Sequence, residues 1–144
     1  MATITEDYVS FEVAKLLKEK GFDVYGDGSF GSEIKIWMEY SPFGKIRDVS
    51  SSRPSIKGYP APTLQMAMKW LREKYNLFIE IQCYGCGANE EAHFEFSFVV
   101  SEFMQFDNKI CTTVGLKEKK AKSQHNTYEE AVEAACVYCL ENLI

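Results

Sequence analysis

Apolar residues recur at helical spacing in two segments of the first half of the chain. In the first segment, Ser10 is a suitable N-cap and Gly21 a suitable terminating residue, which predicts a helix over about residues 11–20. In the second, Pro62 suits the first turn and Asn76 suits a left-handed end. The stripe expected to face the core in this second helix is Leu64, Ala67, Met68, Leu71 and Tyr75.

A third helix is predicted in the last part of the sequence. Thr127 and Glu130 have the spacing of a capping box, and apolar residues continue at helical spacing to Leu143. Cysteine behaves as a small apolar residue when it lies on such a stripe. The stripe consists of Ala131, Val132, Ala135, Cys136, Cys139, Leu140 and Leu143.

Alternation of apolar and polar residues predicts strands between the helices. In the strand before the second helix, Met38 and Tyr40 lie on the apolar face, and Trp37 and Glu39 lie on the polar face. In the strand after it, Cys83 is expected to point inward. The predicted strands cover residues 22–25, 33–40, 78–83, 93–104 and 109–114.

The resulting order, α-β-β-α-β-β-β-α, predicts an α+β fold. Helices and hairpins are segregated along the chain, so we expect a mainly antiparallel sheet with helices packed on one face. The length of 144 residues suits a single domain over residues 1–144. Residues 41–61 show no sustained period and are long for a loop, so this segment is expected to carry function or to be mobile.

Composition narrows the classes of protein that the chain can belong to. The net charge of −5 disfavours a general nucleic-acid binder, because such proteins usually carry a basic surplus. No apolar run is long enough to span a bilayer. The five cysteines, without a signal peptide before them, favour a reducing compartment, so we expect a cytoplasmic protein without membrane association.

Two Cys-x-x-Cys pairs raise the possibility of a zinc site, since four thiolates can bind zinc tetrahedrally. The pairs are Cys83 with Cys86 and Cys136 with Cys139. About 49 residues separate the pairs, whereas zinc ribbons and fingers have about 15 to 20. A redox or nucleophilic role for Cys86, in an expected turn over residues 85–89, is a further alternative. We expect no metal and no cofactor, with these four cysteines as the zinc candidates.

A set of basic and aromatic residues forms a possible interaction surface. The segment of residues 117–122 has a local charge of +3, which is by default a solvated loop. Basic residues of the 41–61 segment extend the set if the fold brings them close, and Trp37 is a possible exposed contact residue. The full set is Trp37, Arg47, Arg53, Lys57, Lys119, Lys120 and Lys122.

The order helix-strand-strand-strand-helix over residues 63–143 is similar to that of a double-stranded-RNA-binding domain. That family places Lys and Arg at the start of its last helix, where they contact phosphates. Here the corresponding residues are Thr127, Tyr128, Glu129 and Glu130, and residues 127–144 hold four Glu and no Lys or Arg. The resemblance therefore implies topology alone and argues against RNA binding by that route.

Four segments resemble small uncharacterised proteins of gut Bacteroides-type genomes and their phages. The segments are residues 10–22, 60–63, 69–74 and 127–131, which read SFEVAKLLKEKGF, PAPT, KWLREK and TYEEA. The resemblance implies a small accessory protein of prophage or mobile-element origin, and it brings no activity to carry over.

No phosphate-binding glycine loop, zincin motif or nucleophile elbow occurs in the sequence. The leading hypothesis is therefore a non-catalytic module that binds a protein partner through the 41–61 segment or an exposed sheet face. Aromatic residues make up 14% of the chain and could also support a homodimer. The alternative hypothesis is an accessory protein that binds nucleic acid or zinc.

Overall fold

The computed structural model describes residues 7–22, 38–49, 57–87, 92–106, 109–113 and 125–144, apart from the side chains of Cys86 and of residues 103–113. The chain divides into two compact units, Met1–Ala67 with Ile144, and Met68–Leu143. The prediction of a single domain over residues 1–144 stays a prediction. The expected α+β class is confirmed, because the described residues form three helices and antiparallel sheets.

The described part of the first unit contains one complete helix and a small antiparallel sheet. Helix α1 covers Phe11–Glu19, and the strands are β1 (Met38–Tyr40), β2 (Ile46–Asp48) and β3 (Tyr59–Pro60). The strand order is β2-β1-β3, so β2 and β3 are the edges of this sheet within the described residues. The buried residues of the helix and its lead-in are Val9, Val13, Ala14 and Leu17.

Helix α2 (Leu64–Tyr75) spans the boundary between the units, and the remaining elements belong to the second unit. Strands β4 (Leu77–Cys86), β5 (His93–Phe106) and β6 (Lys109–Thr113) form an antiparallel sheet in that order. Helix α3 (Tyr128–Asn142) packs on β4 and β5. Its buried residues are those of the predicted stripe except Leu143: Ala131, Val132, Ala135, Cys136, Cys139 and Leu140.

The predicted cap and end residues Ser10, Asn76 and Thr127 are confirmed, whereas Pro62 precedes α2, which begins at Leu64 with the Thr63 hydroxyl accepting from the Met66 amide at 3.3 Å. The Ser10 hydroxyl accepts a hydrogen bond from the Val13 amide at 3.3 Å at the start of α1, and the Thr127 hydroxyl accepts one from the Glu130 amide at 3.1 Å at the start of α3. Asn76 ends α2 with φ of 55°, in the left-handed region that favours such residues. These contacts involve residues within one turn of each other, which is why sequence alone predicts them.

The strands between α1 and α2 differ from the prediction. The 41–61 segment, expected to be a loop, contains β2 and β3, and the described strands form two sheets instead of one. The element order is therefore α-β-β-β-α-β-β-β-α over the described residues. Strands of two or three residues are too short to show a period of two, and their pairing with β1 involves residues distant in the chain. The part of the predicted strands over residues 23–25 and 33–37 lies outside the described residues.

Candidate interaction surface

A tight turn joins β1 to β2 and is held by hydrogen bonds to Ser41. The Ser41 carbonyl accepts from the Gly44 amide at 2.9 Å, and the Ser41 hydroxyl accepts from the amides of Phe43 and Lys45 at 3.3 and 3.1 Å. The Ser41 amide donates to the Lys45 carbonyl at 2.8 Å, which closes the hairpin. Ser-Pro-Phe-Gly has Ser, Pro and Gly at the positions that a type I turn favours.

Gly44 fits the turn closely against α1. Its φ of 86° is strained for a residue with a side chain, and a Cβ there would lie 3.1 Å from the Phe11 ring. The Phe11 ring in turn contacts the Tyr40 and Tyr59 rings, with centroids 5.4 and 5.5 Å apart. The turn therefore rests on a packed aromatic base.

Phe43 occupies the tip of the turn and is 97% exposed. Burying a phenylalanine side chain contributes about 1.5–3 kcal/mol, so this exposure forgoes a stabilising contact that a binding partner can supply. Ile46, the first residue of β2, is 40% exposed. Together with Lys45, these residues form what we call the hairpin tip: Phe43, Lys45 and Ile46.

An ion pair between β1 and β2 holds the register of the hairpin. Glu39 is 1% exposed and lies directly opposite Arg47, whose side chain is 51% exposed. The Arg47 Nε donates to Glu39 Oε1 at 2.5 Å, and Arg47 Nη2 contacts the same oxygen. Glu39 was expected on a polar face, and that expectation was wrong because Arg47 and Gly58 enclose its carboxylate. The pair favours one register, since a shift of one residue would reverse the faces of β2.

Few of the residues predicted as an interaction surface fall within the described residues. Arg47 is half-exposed and forms an ion pair with Glu39. Lys57 is exposed and lies two residues before β3. The five others lie outside the described residues: Trp37, Arg53, Lys119, Lys120 and Lys122. Phe43 was missed by the sequence reasoning, although the turn signature around it could have indicated that it lies at a hairpin tip.

The four cysteines considered for zinc lie in different environments. Cys83 was expected to point inward as a core residue, but its side chain is exposed on β4. Cys136 and Cys139 are buried residues of α3. Desolvation raises the pKa of the Cys139 thiol to about 12. The pKa of the Cys136 thiol is raised further by desolvation, and the nearby Cys139 and Glu133 add to this rise. Zinc requires thiolates, so burial of two protonated thiols disfavours binding there.

No group of three or more potential metal ligands occurs among the residues whose side chains are described. The side chain of Cys86 lies outside them, and its backbone ends β4 opposite His93, so the expected turn at residue 86 was wrong. The His93 Nε2 instead lies 2.9 Å from Glu95 Oε1. His125 pairs through its backbone with Phe96, and its ring stacks on Phe98 with centroids 6.4 Å apart.

Comparisons with known proteins leave the geometry as the sole guide to function. No protein-family model, no curated protein and no solved structure matches this chain. Among the helices that the structure describes, none combines the length and apolar character needed to cross a membrane.

Proposed function

We propose that this protein is a non-catalytic protein-interaction module that binds its partner through the hairpin tip. The carrying observation is that Phe43 is 97% exposed on a turn whose backbone is held by hydrogen bonds. Aromatic residues are enriched among those that dominate binding energy at protein interfaces. A rigid turn also loses little conformational entropy on binding.

The surroundings of the turn support this role. The Tyr40 hydroxyl donates to the Val9 carbonyl at 2.8 Å, which ties β1 to the segment that leads into α1. Lys18 Nζ donates to the Gly58 carbonyl at 2.7 Å and lies over the Tyr59 ring, so α1 is also tied to the entry of β3. The hairpin is thus anchored through its base while its tip stays in solvent. An anchored base with an exposed aromatic tip is suited to binding without rearrangement.

The chain offers a matched control for Phe43. Phe94, on β5 in the second unit, is also a highly exposed phenylalanine, at 68%. Neither side chain is expected to support the core, so alanine at either position should change the free energy of unfolding by less than about 0.5 kcal/mol.

The test is quantitative affinity capture from a lysate of the source organism with the wild-type chain, F43A and F94A. A partner that the wild-type chain and F94A retain should be lost from F43A, because truncating such an anchor weakens binding by about 2 kcal/mol or more. Equal retention of every captured protein by F43A and wild type would refute binding through the hairpin tip.

A further inference from the structure

The hairpin tip carries a positive charge, whereas the chain as a whole is acidic. Residues 41–48 contain Lys45, Arg47 and one carboxylate, Asp48 at the end of β2, and the chain carries a net charge of −5. The Arg47 charge is compensated by Glu39, but Lys45 is exposed and makes no ion pair with any described residue. Lys45 is therefore a cation that a partner can neutralise.

A second cation lies beside the Phe11 ring, against which the turn packs. Lys15 is exposed on α1, and its Nζ is 4.7 Å from the centroid of the Phe11 ring on which Gly44 rests. The exposed carboxylates of α1 are Glu12 and Glu19. The Glu12 side chain leaves the helix roughly 100° around the axis from Phe11, because a turn contains about 3.6 residues, and Glu19 lies about two turns further along α1 from Phe11. Lys15, four residues after Phe11, shares the face of Phe11 instead.

From this arrangement we infer that the hairpin tip binds a protein segment in which an apolar side chain is flanked by aspartate or glutamate. The apolar side chain would contact Phe43 and Ile46, and the carboxylates would lie beside Lys45 and Lys15. Complementary charges at the rim of an interface speed association and orient the partner. This inference rests on the proposed function and names the chemistry of the partner.

The acidic remainder of the chain makes this recognition specific. Helix α3 carries Glu129, Glu130, Glu133 and Glu141 and no basic residue, so an acidic segment would be repelled there. A basic segment, in contrast, would be attracted to α3 and repelled by Lys45. The distribution of charge therefore favours binding of acidic segments at the hairpin tip and disfavours their binding to α3.

The probe for the test is a random twelve-residue peptide library displayed on phage, selected against the full chain. We expect the enriched peptides to carry an apolar residue next to Asp or Glu. The most enriched peptide is then synthesised, and its affinity is measured for the wild-type chain and for F43A, K45E and K69E, each checked for folding by circular dichroism. Lys69 is an exposed helix lysine in the second unit and serves as the charge control.

The expected result is a loss of affinity of about tenfold for K45E and more for F43A, with K69E close to wild type. Affinity should also fall as ionic strength rises from about 0.1 M to 1 M, which shortens the Debye length from about 10 Å to 3 Å. If F43A loses binding while neither K45E nor ionic strength changes the affinity, the inference of an acidic partner would be overturned, and the proposed function would stand. Enrichment of basic peptides, or of none, would likewise overturn it, and F43A without effect would contradict both proposals.

Discussion

Replacing Arg47 by alanine removes the cation from a carboxylate that the fold keeps away from water. Glu39 is 1% exposed, and both described contacts of the Arg47 guanidinium reach its Oε1. Without Arg47, the Glu39 carboxylate would keep the desolvation of its buried site but lose the guanidinium that contacts its Oε1. The change therefore tests whether this ion pair stabilises the hairpin that carries Phe43.

The expected loss in the free energy of unfolding follows from the burial of the two partners. Removing one partner of a buried ion pair costs about 3–5 kcal/mol. Because 51% of the Arg47 side chain is exposed, water already screens part of the interaction, which places R47A near the lower end, at about 3 kcal/mol. E39Q should cost less, about 1 kcal/mol, since the half-exposed Arg47 can be solvated when the carboxylate is gone.

The measurement is urea unfolding at neutral pH for the wild type, R47A, E39Q and the double variant, followed by circular dichroism. Linear extrapolation yields each free energy of unfolding, and separate transitions are fitted separately, because the chain comprises two compact units. K45A is the matched control, since Lys45 lies in the same hairpin but is exposed, and its effect should stay within about 0.5 kcal/mol.

The double variant decides the physical cause. If loss of the Arg47 charge beside the buried Glu39 carboxylate is what destabilises R47A, then adding E39Q should restore about 1–2 kcal/mol, because an amide can be buried at lower cost than a carboxylate. A loss of less than about 1 kcal/mol in R47A, or a double variant less stable than R47A, would refute the reasoning.

Three further predictions concern the second unit. In the native protein at mild alkaline pH, iodoacetamide should modify exposed Cys83 well before buried Cys136 and Cys139, which should react only in denaturant; mass spectrometry after digestion reads this out, and equal rates would contradict the burial. Because the pKa values of both buried thiols are raised, the unfolded chain releases these protons at a lower pH than the folded chain. The free energy of unfolding should therefore fall above about pH 9, by up to about 1.4 kcal/mol per pH unit for each thiol. The fall should be less steep in C139A. T127A should lower the free energy of unfolding by about 1 kcal/mol in urea titrations by removing the cap on the Glu130 amide, whereas T127S should not.

Local signals explain why the helices could be predicted. Ser10, Asn76 and Thr127 act on residues within one turn of themselves, and each forms the cap or end that its position indicates. The α+β class follows from the same signals, since the three helical stripes are separated by segments that alternate.

Cys83 illustrates where a periodic pattern is insufficient. It lies opposite Phe96, on the same face of the sheet as Ile81 and Phe98, so the alternation assigned its face correctly. Tyr138 of α3 contacts Phe98, which lies opposite Ile81 of β4. Cys83 lies two residues after Ile81 on β4, and its side chain is exposed. Alternation indicates which side of a strand a residue occupies, but not how far the covering helix extends.

The sequence by itself determined the caps of α1 and α3, the end of α2, and that antiparallel strands accompany the helices, because caps, turns and apolar periods act over a few neighbouring residues. Only the tertiary structure decided that Glu39 is buried against Arg47 and that Phe43 stands in solvent. Burial depends on which residues distant in the chain pack over a side chain, and on the charge that compensates it, and neither is encoded in the local pattern.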